Sequence, residues 1–164
     1  MIVQVSIRGL VVDTHSESPV LILQEENGER ILPIWIGEEE AFSISMALTK
    51  TKSERPLTHD LTISIFQQLG IEFCKVIIHQ IIDNTYHCQL ILESRERLLQ
   101  IDARPSDAVA LALRAKAPIY VMDKVFNSIS PFSQSIENNS IDYFERIKNR
   151  LNNLNPEYFG DLWI

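Results

Sequence analysis

An internal repeat constrains the fold of this chain more than any other feature. One copy begins at Arg30 (RILPIWIGEEEAFSISMAL) and the other begins at Arg97 (RLLQIDARPSDAVALALRA). Each copy follows a hairpin pattern, so we predict two β-β-β-α units packed as pseudo-equivalents. Two unrelated strand-to-helix junctions can also look alike at low identity, which is the alternative interpretation. At an offset of 67 residues the matched positions are Arg30 with Arg97, Leu32 with Leu99, Ile34 with Ile101, Glu40 with Asp107, Ala41 with Ala108 and Ile44 with Leu111.

Alternating and β-branched segments, bounded by turn residues, predict the strands of both units. In the first unit, Asn27-Gly28 is a hairpin signal, and Pro33 indicates an edge strand or a bulge. In the second unit, Asp83-Asn84 is the corresponding turn. The predicted strands span residues 2–12, 20–25, 30–36, 71–82, 85–94, 97–103 and 119–122.

Apolar residues at helical spacing predict three helices that accompany these strands. The first spans about 38–51 and carries three glutamates in its first turn, where the helix dipole favours negative charge. The second lies between the two units, with Thr58 as its N-cap and Gly70 at its end. The third begins at Pro105 and has an alanine-rich packing face. We therefore expect an α+β fold, in which a mixed or antiparallel sheet has helices packed on it.

The composition of the chain changes after the predicted sheet. Residues 127–140 (NSISPFSQSIENNS) are polar and predict a linker between a domain at 1–126 and a helical tail at 141–164. The tail has an amphipathic pattern over about 141–152. Its last residues are too apolar for an unattached end, so we expect them to dock on the domain or on another subunit: Tyr158, Phe159, Leu162 and Trp163.

Charge and cysteine content narrow the classes of function. The net charge of −7 argues against non-specific binding of nucleic acid through an extended basic surface. A nucleic-acid substrate would therefore need local positive charge or a metal ion. The two cysteines, Cys74 and Cys88, form no CxxC pair, which is typical of a reducing compartment. No apolar run is long enough to span a bilayer, and no secretory signal is evident. These features predict a cytoplasmic protein.

The densest polar cluster lies at the predicted junction between the strand at 97–103 and the third helix. Asp102 and Arg104 are expected on one face of the strand end, and Asp107 in the first turn of the helix. Arg104 could hold a phosphate in bidentate fashion, and the two carboxylates could hold a divalent metal. Ser106 adds a hydroxyl near the helix N-terminus, where backbone N–H groups bind phosphate. The structural alternative is that Asp107 complements the helix dipole and that Asp102 pairs with Arg104.

A second cluster precedes the predicted middle helix. His59 has a side chain suited to general acid or base chemistry, and Asp60 could orient it or bind metal. Arg55 adds a nearby positive charge. Adjacent helical residues diverge by about 100°, so His59 and Asp60 need not act on the same atom. The alternative is a plain helix start, with Thr58 as cap and Asp60 complementing the dipole.

Other chemistries have weaker support. His79 and Cys88 could face each other across a turn, but the spacing fits no usual zinc pattern, and core positions are the better interpretation. Phosphate-loop, GxSxG and HExxH motifs are absent. None of four serines has a sequence neighbour that suggests a nucleophile: Ser43, Ser45, Ser64 and Ser106.

Taken together, several stretches resemble the bifunctional nuclease (DUF151-type) domain family in order and spacing over about residues 1–125. The C-terminal segment is similar to the cyanobacterial and plastid branch, with its NPEYF ending, and not to the UVR-bearing members. The resemblance implies a nuclease acting on RNA and DNA, without a catalytic set firm enough to transfer. The matching stretches are SPVLIL (18–23), LPIWIGEEEA (32–41), RPLTHDL (55–61), KVIIH (75–79), DNTY (83–86) and IDARPSDAVALALRAKAPIYV (101–121).

Two hypotheses follow from the clusters and the resemblance. The first is a nuclease assisted by Mg²⁺ or Mn²⁺, in which Asp102 and Asp107 place the ion. The second is a non-enzymatic, oligomeric binding or regulatory module, with a homodimer favoured. In the first hypothesis the catalytic residues are His59, Asp60, Asp102 and Asp107, and the substrate-binding residues are Arg104, Arg55 and Ser106.

Overall fold

The computed structural model describes residues 1–95, 97–129, 140–146 and 149. Its first unit consists of three antiparallel strands followed by a helix. The tight connection after the second strand contains Asn27-Gly28, as the hairpin signal predicted. The elements are β1 (Ile2–Asp13), β2 (Pro19–Glu25), β3 (Ile31–Trp35) and α1 (Glu38–Leu48).

The second unit has the same order of elements. Asp83 and Asn84 both have positive φ, which suits the tight turn between its first two strands. Pro105 occupies the first turn of its helix, where a missing N–H costs nothing. The elements are β4 (Glu72–Ile82), β5 (Thr85–Ser94), β6 (Arg97–Ala103) and α3 (Pro105–Ala115).

Four further elements complete the described fold. The helix α2 (Thr58–Gln68) lies between the two units in the chain, and Gly70 follows it with φ +66°. The strand β7 (Ile119–Met122) is followed directly by α4 (Asp123–Asn127). The short strand β8 (Ser140–Asp142) pairs with β1.

The sheet confirms the predicted repeat. Its strand order is β3-β2-β1-β7-β4-β5-β6, so two three-stranded meanders flank β7. The strand β7 runs antiparallel to β1 and parallel to β4, which makes the sheet mixed. The helices α1 and α3 occupy identical positions in the repeat, 67 residues apart. The fold is therefore the predicted α+β arrangement of two β-β-β-α units.

The main core lies between one face of the sheet and the helices. Alanines of α3 are fully buried there, and their small side chains allow close approach to the sheet. Burying such apolar surface stabilises the fold by roughly 25 cal/mol per Å². The most deeply buried positions include Leu10, Leu21, Leu23, Leu32, Ile44, Val76, Ile78, Cys88, Ala108 and Val109.

Several predicted boundaries differ from the structure. The first helix ends at Leu48, because the chain leaves helical geometry well before residue 51. The N-cap of α2 is Leu57 and not Thr58, and the Asp60 carboxylate accepts a hydrogen bond from the Leu57 backbone N–H at 2.9 Å. The short α4 was not predicted.

The predicted tail helix also begins later than expected. Ser140–Asp142 is a strand whose backbone pairs with β1, and helix follows at residues 143–146 and again at 149. Tyr143 is buried in the main core, so this segment packs on the domain. Most of the predicted linker, the rest of the tail helix and the apolar C-terminus lie outside the described residues.

Candidate active site

His59 lies at the centre of a hydrogen-bonded cluster formed by three helices. It occupies the first turn of α2, and its ring Nδ1 lies 2.8 Å from the hydroxyl of Ser43 on α1. Its Nε2 lies 3.0 Å from Oδ1 of Asp107 on α3. Both ring nitrogens therefore have protein partners. The loop before α2 and the β6–α3 junction converge on one site, as the mechanism predicted from sequence requires.

These contacts select one tautomer of a neutral His59 ring. A carboxylate only accepts hydrogen bonds, so the ring proton must lie on Nε2 and be donated to Asp107. Nδ1 is then an acceptor, and the Ser43 hydroxyl donates to it. A hydroxyl that donates to a ring nitrogen, while a carboxylate orients the other nitrogen, is the arrangement of a nucleophile–base–acid relay.

Asp107 also binds Arg104, which connects it to α1. The guanidinium of Arg104 donates from Nε to Oδ2 of Asp107 at 2.7 Å and from Nη2 to Oδ1 at 3.1 Å. Its Nη1 donates to Oε1 of Glu40 at 2.8 Å. Glu40 and Asp107 are equivalent positions of the repeat, so Arg104 joins the two pseudo-equivalent helix starts.

The partners of Asp107 keep it ionised. Burial opposes ionisation, but hydrogen bonds from Arg104 and His59 outweigh it and lower the pKa of the Asp107 carboxyl. The same contacts, first the hydrogen bond to Asp107 and then the interaction with Glu40, raise the pKa of Arg104. The site therefore holds a carboxylate and a guanidinium as a charged pair across the neutral pH range.

A second ion pair, between Arg114 and Asp60, also links the helices that form the cluster. Arg114 of α3 donates from Nε to Oδ1 of Asp60 at 2.6 Å and from Nη2 to the Ser43 carbonyl at 3.3 Å. Burial raises the pKa of Asp60, but hydrogen bonds from Arg114 and the Leu57 backbone N–H outweigh it, so the pKa is lowered. Asp60, singled out from sequence beside His59, is bonded to Arg114 and to the Leu57 backbone and is not among the residues that line the cleft.

The cluster opens into a cleft of about 870 Å³. Its walls contain four carboxylates and one guanidinium, so the described lining is acidic. Side chains of α1 and of the loop before α2 form much of the wall, and Tyr143 contributes from the C-terminal segment. The lining residues are Glu38, Glu39, Glu40, Phe42, Ser43, Pro56, Leu57, Thr58, His59, Arg104, Asp107 and Tyr143.

The structure brings together only some of the residues singled out from sequence. His59, Arg104 and Asp107 meet in the cleft. Asp102 does not line the cleft. It pairs with Gln89 on β5, and the next pair, Ala103 with Cys88, points into the core. Because side chains alternate along a strand, Asp102 points to the opposite face of the sheet. The expectation that Asp102 and Arg104 share a face is wrong, because the strand ends at Ala103 and the chain turns into α3.

Two further predicted binding residues lie off the cleft wall. Ser106 is buried in the first turn of α3, and Arg55 is an exposed residue of the loop before α2. The neighbouring Pro56 lines the cleft, whereas Arg55 does not. Arg55 could approach a long substrate at the rim, but its side chain is outside the hydrogen-bonded cluster.

The proposed metal pair does not fit this arrangement. Asp102 and Asp107 point to different surfaces, and both oxygens of Asp107 already accept hydrogen bonds from Arg104. Within the described ranges no three His, Cys, Asp or Glu side chains are grouped closely enough to hold an ion.

The His79 and Cys88 pair also proves structural. Cys88 is buried opposite Ile78, its Sγ donates to the Ala103 carbonyl at 2.9 Å, and burial raises its pKa to about 12. The ring of His79 instead lies 6.5 Å from that of His87, centroid to centroid. A register shift between Ile78 and Gln80 places His79 on a bulge, which the turn-based prediction did not include.

Ser43, Glu40 and Arg114 were missed as site residues. The sequence around Ser43 contains no residue that would activate its hydroxyl, because its partner His59 comes from another helix. The repeat could have indicated Glu40, since Glu40 aligns with the predicted site residue Asp107. Arg114 had a weaker signal, as the one cation in the buried, alanine-rich helix α3.

The fold and cleft define an α+β protein built from two β-β-β-α units, with an acid–base cluster between their helices. A family model described as the bifunctional nuclease domain matches residues 21–134, which is well over half of the chain. The chain belongs to the bifunctional nuclease domain family. No helix in the described part of the chain is long and apolar enough to cross a bilayer.

Curated relatives agree with this assignment. An uncharacterized protein of Mycobacterium tuberculosis is 36% identical over 162 residues, which cover 95% of this chain and 97% of that protein. Bifunctional nuclease 1 of Arabidopsis thaliana is 28% identical over 111 residues, 65% of this chain but 34% of the plant protein. Bifunctional nuclease 1 of Oryza sativa subsp. japonica is 24% identical over 116 residues, 69% of this chain and 35% of the rice protein.

Proposed function

We propose that this protein hydrolyses phosphodiester bonds of RNA and DNA in the cleft around His59. The observation that carries the proposal is the 3.0 Å contact between His59 and Asp107, with Arg104 bound to the same carboxylate inside an open cleft. A base oriented by a carboxylate beside an exposed guanidinium suits proton transfer next to a phosphate. Membership of the bifunctional nuclease domain family supports the same chemistry.

Each cluster residue has a distinct role in this proposal. Asp107 holds the Nε2 proton of His59 and stabilises the ring once it gains a second proton. The proton comes from the attacking water: Ser43 accepts it and passes its own hydroxyl proton to Nδ1 of His59. As the water oxygen bonds to phosphorus, the bond from phosphorus to the leaving oxygen breaks, and the proton returns from His59 through Ser43 to that leaving oxygen. Arg104 is 65% exposed, and its Nη1 can exchange Glu40 for a phosphate oxygen while Nε and Nη2 remain bonded to Asp107.

A requirement for Mg²⁺ or Mn²⁺ stays a prediction. The acidic cleft supplies one guanidinium against four carboxylates, so a polyanionic substrate needs further positive charge to enter it. A divalent ion carried in with the substrate would supply that charge. Activity measured with excess chelator and after readdition of Mg²⁺ or Mn²⁺ tests the requirement.

The acidic lining also supports a second candidate, a non-enzymatic binding module. Four carboxylates repel an anionic polymer, and both nitrogens of His59 are already bonded within the protein. In this alternative the cluster stabilises the junction of α1, α2 and α3 without chemistry. It predicts no cleavage of nucleic acid above that of a mock purification.

The test compares variants on end-labelled RNA and DNA. We expect Asp107→Asn and His59→Ala to lose cleavage by at least a hundredfold, a usual scale for a lost acid–base group. Asp102→Asn is the matched control, because Asp102 lies on the opposite sheet face, and it should retain activity. Equal activity in all three proteins, prepared in parallel, would assign the cleavage to a contaminant and reject the proposal.

A further inference from the structure

The strand β6 leaves one edge of the sheet open. It is last in the order of the described strands and pairs with β5 on one side only. Six of its seven residues are exposed, including apolar side chains on both faces. Leu98 is 68% exposed, Leu99 37% and Ile101 45%. A long apolar edge strand is a ready template for another strand, and proteins usually protect such edges.

The opposite edge of the same sheet is protected. The strand β3 has five residues, and three consecutive residues, Leu32, Pro33 and Ile34, are buried. Pro33 removes a backbone donor from that edge. In contrast, β6 contains no proline, and its ladder with β5 has no register shift. The two units are pseudo-equivalent, so the difference between their edges is specific to β6.

We propose that two copies of this chain pair through β6 and continue the sheet across a twofold axis. An axis perpendicular to the sheet makes the two β6 strands antiparallel and keeps the helices of both copies on one side. Each outward N–H and C=O of one strand then meets its counterpart on the other. The partner is a second copy because two β6 strands related by this axis present their backbone hydrogen-bonding groups, and their exposed Leu99 and Ile101 side chains, to each other.

Side-chain pairing selects the register. With Gln100 opposite Gln100 of the second copy, each Leu99 lies opposite an Ile101, so all four half-exposed aliphatic side chains on the helix side meet. Centring the axis on Leu99 would oppose Ile101 with Arg97. Centring it on Ile101 would oppose Leu99 with Ala103, which fills less space. Of these three registers, the Gln100-centred one opposes the most aliphatic side chains on the helix side.

Charge favours the same antiparallel arrangement. Arg97 lies at the start of β6 and Asp102 near its end. Antiparallel pairing places the two Arg97 residues at opposite ends of the interface, and likewise the two Asp102 residues, whereas in-register parallel pairing would place like charges together.

The first test measures the mass of the native protein by sedimentation equilibrium across micromolar concentrations. The wild type should dimerise, and the double variant Leu99→Lys, Ile101→Lys should be a monomer with an unchanged circular dichroism spectrum. The matched control is Leu61→Lys, Ile65→Lys, because these α2 residues are 53% and 47% exposed but lie away from the edge. A monomeric wild type, a dimer that survives the β6 substitutions, or a dimer lost only in the α2 control overturns the proposal.

The second test probes register without relying on a loss of binding. In a Cys74→Ser background, Gln100→Cys should form an intermolecular disulfide, since opposed Cα atoms in an antiparallel pair lie about 4.5–5.5 Å apart. Leu98→Cys should not, because its counterpart would lie about 14 Å away along the strands. Equal cross-linking of the two variants, or none, rejects the Gln100-centred interface.

Discussion

Replacing Ser43 by alanine separates a catalytic role for the cluster from a structural one. With a neutral His59 ring, the Ser43 hydroxyl donates to Nδ1 of His59, while Nε2–H is donated to Asp107. Ser43→Ala removes that donor and leaves Nδ1 without a partner in a largely buried site. Ser45→Ala is the matched control, because Ser45 is equally buried on the same helix but bonds only to the Phe42 carbonyl at 2.7 Å.

The two variants should differ in stability and far more in activity. An unsatisfied buried acceptor costs about 1–3 kcal/mol, whereas the local hydrogen bond of Ser45 contributes about 1 kcal/mol or less. If protons reach His59 through Ser43, cleavage falls about a hundredfold or more in Ser43→Ala. Ser45→Ala should lose less than about fivefold, the scale of a 1 kcal/mol effect.

Three measurements check this reasoning. Urea unfolding gives the change in stability, and cleavage of end-labelled RNA as a function of pH gives the change in activity. Nitrogen-15 chemical shifts of His59 report the tautomer directly. A neutral ring should keep its proton on Nε2 in Ser43→Ala, because Asp107 still accepts it, while the Nδ1 shift should change in Ser43→Ala alone, because Nδ1 loses its donor. Cleavage by Ser43→Ala within fivefold of wild type would refute the proton path. An Nδ1 shift that is the same in wild type and in Ser43→Ala would refute the hydrogen-bond assignment even if the protein has no nuclease activity.

Three other predictions concern ionisation and packing. The lowered pKa of Asp107 adds stability that is complete above the ordinary aspartate value of about 3.9 and is lost as pH falls below it; Asp107→Asn should flatten this acid-limb dependence in urea titrations. Arg114→Ala should cost about 2–3 kcal/mol by thermal unfolding, less than a fully buried pair because Asp60 is partly exposed, and an unchanged melting temperature would contradict this. Cys88, whose pKa burial raises to about 12, should resist thiol reagents in the native protein while the partly exposed Cys74 reacts, so two rapidly reacting thiols would contradict the buried position.

Much of the fold could be predicted because its signals are local. Alternation in β5, the Asp83-Asn84 turn and Pro105 at the start of α3 each act over a few residues. The repeat extended these signals across the chain, since two segments with one pattern fold alike. Errors occurred at helix boundaries such as the start of α2, where the N-cap is Leu57, bonded to the Asp60 carboxylate, and not the expected Thr58.

The site could be predicted only in part, because its contacts join residues distant in sequence. His59 and Asp107 are 48 positions apart and meet only when α2 packs beside α3. Asp102 and Asp107 are close in sequence yet lie on different sides, since alternation turns Asp102 to the sheet face opposite the buried pair of Ala103 and Cys88, whereas Asp107 lies in α3 on the cleft. Ser43 gave no sequence signal, as its role depends wholly on a histidine from another helix.

From its amino-acid order alone, the chain determined two repeated strand–helix units, the inserted helix and the pool of polar residues near the helix starts. Those properties depend on backbone geometry and on the period of apolar side chains, which neighbouring residues set. Tertiary packing decided which polar groups of that pool meet, because direction and distance across helices depend on the relative placement of whole elements. The Ser43–His59–Asp107–Arg104 cluster therefore exists only in the folded protein.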